Sequence, residues 1–319
     1  MRVRKGLISS LVLVAFAATA CGSGSANSSS GTGTTTTTVR IAGNTNAAAL
    51  PVWVGIDKGY FKDCGVDAKY TVIQNITTLP AALGNSFDVA LTVPPLLVSA
   101  AAQGLPVVEV AGATLNTREN PQTFLVARTG SGIKTVADLR GKTLGVQTIT
   151  GSTHLGTKLW LARAGVPYKS VHVVQVDGPA MADQLKAGRV DAMETLAPFS
   201  TSVLKYGTSI VDPQAAIAET ISGIFWASNK TWAGKNDKAL TCFRTGLTKA
   251  ADFIGKNQAA AKTVLQKQTK IPQAIVDGTA LPTYTADVRA NDLQLWIDAM
   301  KQVGGFKGNV TPSALVLGG

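Results

Sequence analysis

Val39-Arg-Ile-Ala-Gly-Asn-Thr-Asn-Ala-Ala-Ala-Leu-Pro-Val-Trp-Val-Gly-Ile-Asp-Lys-Gly59 sets the architecture of this chain. Val39–Gly43 is a short apolar run that suits a buried strand. Polar Asn44-Thr45-Asn46 interrupts it. From Leu50 the spacing changes: Val52 and Ile56 stand one turn apart, which predicts a helix that ends at Gly59. Ala68–Ile73 reads as the next strand. A strand, a helix and a second strand within 35 residues predict a parallel α/β unit whose first loop carries polar side chains at a strand's carboxyl end.

The same alternation continues downstream. A helix is expected at about 77–83, a strand at 87–92, a helix at 95–103 ended by Gly104, and strands at 107–111 and 124–128. Past Gly130-Ser-Gly132 it starts afresh. There the reading gives a short helix at 136–139, strand 143–147, helix 155–164, strand 171–176, helix 180–187, strand 191–196, helix 199–206 and a short strand at 210–211. Residues 223–228 return as a strand. The last ninety residues are mostly helical, with Leu240, Phe243, Leu247, Ala250 and Ile254 on one face, and Leu293, Trp296, Ile297, Met300 and Val303 on another. The restart and the return predict two α/β lobes: residues 39–127 and 223–319 form lobe one, and 128–222 form lobe two. Two extended crossings supply a hinge, and ligands in such folds sit beyond strand carboxyl ends, between lobes.

Upstream, Arg2, Arg4 and Lys5 precede an apolar run from Leu7 to Phe16, then Ala17-Ala-Thr-Ala20, Cys21 and Gly22. A basic start, a short apolar stretch and small residues describe an export signal. The run is too short to span a membrane, which takes about 20 apolar residues. Residues 1–20 are thus expected to be a discarded leader. Residues 21–38, rich in Ser, Gly and Thr, are expected to be a flexible tether. Ala20-Cys21-Gly22 resembles a bacterial lipobox, which implies lipid on Cys21; Ala18 departs from it, since Leu is usual there, and a plain signal cut after Ala20 is the alternative.

The formal charge is +11, and removing the three basic residues of the leader leaves +8. Beyond the leader no more than two basic residues adjoin and aromatics are few, which argues against a nucleic-acid partner. Cys64, Cys242, His154 and His172 show no metal-ligand spacing, and no cofactor is expected. No Gly-x-Ser-x-Gly elbow is present, so an enzyme is not expected either. Two further cysteines in an exported chain invite a disulfide, but their distance in sequence leaves the pairing open.

Thr148-Ile-Thr150-Gly151-Ser152-Thr153-His154 lies between a strand and a helix of lobe two. Gly151 permits close backbone approach, Ser152 and Thr153 offer hydroxyls, and the helix start offers unpaired N–H groups, which together make an anion cradle. Plain helix capping by Ser152 or Thr153 is the alternative. Asn46 is favoured over Asn44 as a contact from lobe one. Asn116, with Thr117, follows another strand. Asp177, beside Gly178-Pro179, suits either a ligand amine or the cap of the next helix, and the cap is preferred. Glu194 falls inside a strand, where a carboxylate is costly unless paired; it either faces the cleft or meets a lysine. Trp53 is expected in the core, and Trp226, Ser222 and Thr220 near the second crossing.

Five segments, in order, carry a resemblance: Leu50 to Val66 with its Gly59-Tyr-Phe61, Leu79 to Leu91, Gly132 to Val146, Asp177 to Ala192, and Gln294 to Gly304. Together they resemble the nitrate/sulfonate/taurine class of ABC-transporter substrate-binding proteins over nearly all of 39–306. The resemblance implies a two-lobed periplasmic-binding-protein fold (type II) that closes on a small anionic solute. It implies work outside the cytoplasm as a monomer with ABC permease subunits, held at the membrane by lipid on Cys21. It favours the Gly151-Ser152 turn as the headgroup site and Thr92 as a contact, for which helix capping is the alternative. It also assigns Cys242 to lobe one, and so a Cys64–Cys242 disulfide. Leu196 and Ala197 depart from the family, which often has an aromatic and an acid before that proline, so no single solute is implied. Pyrimidine-precursor proteins of thiamine metabolism, a transport protein or a cytosolic synthase, share this fold and form the alternative.

Overall fold

The computed structural model describes residues 36–317; the expected leader, Cys21 and most of the tether lie outside the described residues. The chain first lays down β1 (Thr37–Gly43), α1 (Leu50–Asp57), β2 (Val66–Val72), α2 (Leu79–Ala82), β3 (Val89–Thr92), α3 (Pro94–Ala102) and β4 (Val107–Thr117). It crosses over and forms β5 (Thr123–Arg128), β6 (Thr143–Val146), α4 (Ser152–Arg163), β7 (His172–Gln175), α5 (Met181–Lys186), β8 (Ala192–Leu196), α6 (Ser200–Val203) and β9 (Gly207–Val211). It returns through β10 (Thr220–Asn229) to α7 (Lys230–Lys235), α8 (Asp237–Lys256), α9 (Gln258–Thr269), α10 (Gln273–Asp277), β11 (Thr283–Tyr284) and α11 (Ala290–Val303).

The strands form two sheets, ordered β11-β4-β10-β3-β1-β2 and β7-β6-β8-β5-β9. β1 runs parallel to β2 and β3, and β6 runs parallel to β7 and β8. The carboxyl ends of β1, β3, β6 and β8 therefore lead into the loops that face the cleft. Neither sheet is purely parallel. β10 comes back antiparallel between β3 and β4, and β5 lies antiparallel to β8 and β9.

One lobe boundary differs from the sequence reading. The strand at 124–128 belongs to the second sheet, not the first. Gly130 and Gly132, both at positive φ, form the turn that follows β5 inside lobe two. The restart of the pattern therefore came one strand later than the crossing, which lies between Thr117 and Thr123. On the way back, β10 is continuous from Thr220, so position 223 falls within a strand.

Strand pleating divides each core between two faces. In the first sheet Ile41, Leu91 and Trp226 pack with α1 and α8, while their neighbours Ala42, Ala90 and Phe225 pack with Leu97 and Trp296. In the second, Leu125 and Ala192 face Leu144 and Leu161, while Val126 and Met193 face Met181 and Leu185. A Cys64–Cys242 disulfide, Cα atoms 5.7 Å apart, ties the turn after α1 to α8.

The two crossings meet at Asp212. Its carboxylate accepts from Asn116 Nδ2 (2.6 Å), from the Thr123 hydroxyl and from the Gln214 backbone N–H (3.0 Å). Asp212→Ala leaves three donors at the hinge without this acceptor, and an unmade bond to a charged group costs about 1–3 kcal/mol. A lowered urea midpoint is expected, whereas Asp212→Asn should recover part of it; an unchanged midpoint in the alanine variant would contradict this account.

Helix α4 belongs to lobe two by sequence but packs on the hinge. Leu155 and Leu159 join the lobe-one cluster around Trp296, Trp160 Nε1 donates to the Asp212 carbonyl (2.9 Å), and Arg163 donates to the Ala216 carbonyl (2.6 Å). Gly156 makes this approach feasible, since a Cβ there would lie 2.1 Å from the Pro213 carbonyl oxygen.

Glu109, on β4, is 1% exposed. Burial pushes its carboxyl up to about 8; a backbone hydrogen bond from Arg289 opposes the shift and Asp292 adds to it. The fold thus favours the protonated form. The associated stability is fully present below the ordinary 4.5 and is lost as pH rises through about 8. Melting temperature should fall across that window, and Glu109→Gln should flatten the fall. Equal pH profiles for parent and variant would refute the assignment.

Candidate functional site

The cleft is built by four loops. Asn44 and Asn46 follow β1, Val93 follows β3, Gln147 and Thr148 follow β6, and Leu196 closes β8. With Gly151, Ser152, Thr153, Glu194, Ile76 and Ile224 they line an inner pocket of about 50 Å³. The lobes meet across it, the Ala47 N–H donating to the Ala197 carbonyl at 3.2 Å. No lysine or arginine is among the lining residues. A polar outer chamber of about 160 Å³ shares Asn44, Gln147 and Thr148 and adds Gln74, Gln175 and Asp177.

Gly151 is the N-cap of α4, extended at φ −82° and ψ 163°, and no side chain caps the helix. The N–H groups of the first turn are therefore left to the pocket, and the helix dipole favours a negative group there. The Ser152 hydroxyl is not available to a ligand. It donates to the Gly223 carbonyl (3.0 Å) and accepts from Gln214 Nε2 (3.2 Å), which locks the turn to the second crossing. Ser152 thus faces the site through its backbone, and capping by its hydroxyl does not occur.

Asn46 uses Oδ1 to cap the turn at Ala48 (2.9 Å), which leaves its amide NH₂ for the pocket. Asn44, the less favoured of the two in the sequence, is buried there too, with Oδ1 unpaired among the described residues. Glu194 meets a histidine rather than a lysine: His154 Nδ1 lies 2.8 Å from its Oε1. Lys158 stands farther off, over the Tyr168 ring. Burial lowers its pKa, against the attraction of Glu194.

Other expected residues fall elsewhere. Thr150 is exposed and lines a neighbouring groove with Pro95, Ile149 and Lys158. Thr92 is buried within β3 opposite Phe225, and the next residue, Val93, reaches the pocket instead. Asn116 is not in the cleft: its Nδ2 meets Asp212 and its Oδ1 accepts from the Gln122 N–H (2.6 Å), so the hinge engages both ends of the amide. Thr220 is exposed at the start of β10, opposite Thr117. Asp177 makes no cap hydrogen bond and stands exposed at the outer chamber. Gln147, not among the residues expected from the sequence, lines the pocket beside Thr148, and its place after a strand and before Gly151 is the signal that marks it. Among the described residues no group of three or more His, Cys, Asp or Glu is placed to hold a metal ion.

The sequence pattern of the family described as NMT1/THI5 like matches residues 46–261. The chain belongs to the NMT1/THI5-like family. Its matched segment starts at Asn46 in the cleft, takes in every strand of the second sheet, and ends in α9. A Brucella abortus chain, provisionally named a binding protein, is 24% identical over 232 residues, 71% of this chain and 70% of its own length. Among solved structures, the periplasmic aliphatic sulphonate binding protein SsuA of Escherichia coli superposes with a TM-score of 0.73 at 17% identity, covering 88% of this chain and 97% of its own. The periplasmic nitrate-binding protein NrtA of Synechocystis PCC 6803 gives 0.70 at 14% identity, covering 88% and 84%. At these identities the likeness is one of fold. This chain has the two-lobed periplasmic-binding-protein fold of these neighbours.

Proposed function

We propose that this protein is the extracytoplasmic solute-binding component of an ABC importer, capturing a small anionic organic solute of the sulfonate or taurine kind and delivering it to the permease. It works as a monomer and without chemistry on the solute. The observation that carries this reading is the uncapped start of α4, which opens at Gly151 into a cleft closed by both lobes. A sulfonate there accepts several N–H bonds from fixed donors without a basic side chain. The family relationship and the fold of the sulfonate- and nitrate-binding proteins support the same reading. A thermal-shift screen with sulfonates, taurine, nitrate and aminopyrimidines tests it: a ligand at 100 times its Kd stabilises by about 2.7 kcal/mol. Stabilisation by aminopyrimidines alone would instead support the second reading, a pyrimidine-precursor binding protein of the same fold.

Residues 1–20 and Cys21 supply the location in this proposal, a cleaved leader and a lipid that keeps the protein beside its permease. Intact mass of protein taken from membranes should show the loss of residues 1–20 and a diacylglycerol addition. An unmodified Cys21 in the mature chain would remove the lipid while leaving the transport reading intact.

A further inference from the structure

Glu194 and His154 form a buried pair directly behind the inner pocket. Glu194 is 2% exposed and His154 0%. Nδ1 of His154 lies 2.8 Å from Glu194 Oε1, and Nε2 lies 2.9 Å from the Tyr168 hydroxyl. The set is satisfied when Nδ1–H donates to the carboxylate and Nε2 accepts the tyrosine O–H. Among the described residues no other hydrogen bond reaches the Glu194 carboxylate, and Glu194 lines the pocket. One oxygen is therefore held from behind while the rest of the group is left for the solute.

This arrangement creates a conflict that the solute must resolve. The start of α4 invites a negative group, yet a carboxylate faces the same small space, and no lysine or arginine lines it. A plain anion meets Glu194 as a like charge at close range, which is costly. A solute with an anionic head and an ammonium or N–H-rich end meets both walls with opposite charge. We propose that Glu194 is the specificity-determining group of the cleft, that it selects small zwitterions over plain anions of equal size, and that His154 is its positioning residue. This rests on the reading that an anionic head docks at α4. His154 sits in the first turn of that same helix, so one short segment fixes both the anion donors and the orientation of the carboxylate. Asp177, the other acid of the cleft, is exposed in the outer chamber, where water screens its charge.

The test uses a matched pair, taurine and ethanesulfonate, which differ by one ammonium group. Calorimetric titration of the purified protein should show taurine bound at least about tenfold more tightly, as for a hydrogen bond between charged partners. Glu194→Gln should bring the ratio close to one while ethanesulfonate still binds, which also shows the variant folded. His154→Leu should shrink the ratio in the same way with ethanesulfonate affinity little changed, and His154→Asn, which keeps an N–H near the position of Nδ1, should restore most of it. A merely structural histidine would lower both affinities together. Equal affinities in the parent, or a ratio that survives Glu194→Gln, overturn the proposal and leave the α4 reading standing. Failure of the parent to bind either sulfonate removes the α4 reading and this proposal with it.

Discussion

Gly151→Leu is expected to abolish solute binding while leaving the protein folded. Gly151 lines the inner pocket at the N-cap of α4, and its backbone needs no unusual conformation, so a side chain is excluded by space alone. A Cβ there lies 3.0 Å from the Thr148 carbonyl oxygen and 3.3 Å from the Thr148 Cβ, so even alanine presses the turn by a few tenths of an ångström. Leucine adds three more carbons at the place where the headgroup would meet the helix start. A graded series is therefore expected: Gly151→Ala weakens binding by about 1–2 kcal/mol, in the range of one strained charged hydrogen bond, and Gly151→Leu leaves none measurable. Calorimetric titration with the best solute from the screen, alongside a melting curve for each variant, decides the matter. Parent-like affinity in a folded Gly151→Leu protein would place the solute elsewhere.

Loss of the Cys64–Cys242 bond is expected to lower unfolding free energy by roughly 2–5 kcal/mol. The bond spans 178 positions, so its removal frees a very long loop in the unfolded chain. Cys242 is buried on α8, beside the stacked rings of Phe61 and Phe243, so alanine rather than serine is the cleaner replacement. Urea titrations of the parent with and without reductant, and of Cys64→Ala/Cys242→Ala, should agree with one another in the size of the drop. Coincident midpoints for oxidised and reduced parent would show that the bond contributes nothing.

Much of this architecture was legible in the sequence because apolar periodicity reports burial, and burial dictates the element type. The strand at Val39 and the helix after it both follow from that logic. The failures share a different cause. Asn116 resembled a cleft residue because it follows a strand, and Thr220 because it lies on the second crossing, but both belong to strands that run on into the hinge, and periodicity does not say where a strand ends in space. Ser152 presented a hydroxyl at the right turn, yet its bond goes to Gly223, 71 positions away. The pairing of Glu194 with His154 spans 40 positions and carries no local pattern at all. Contacts of that kind arise from how the lobes pack, and a single sequence leaves them open.

The disulfide also imposes an order of events. Its first cysteine lies before the second lobe and its partner lies after, so all of residues 123–211, the whole second sheet, sit inside the covalent loop. A chain that emerges amino-terminus first exposes Cys64 long before Cys242 exists to meet it. The central strand β10, which joins β4 to β3 in the first sheet, arrives just as late. Lobe one therefore waits, incomplete and with a free thiol, while lobe two has all of its strands to hand. The half of the molecule that is first in sequence is the last to be finished, since α9, β11 and α11 still follow the cysteine that closes the ring.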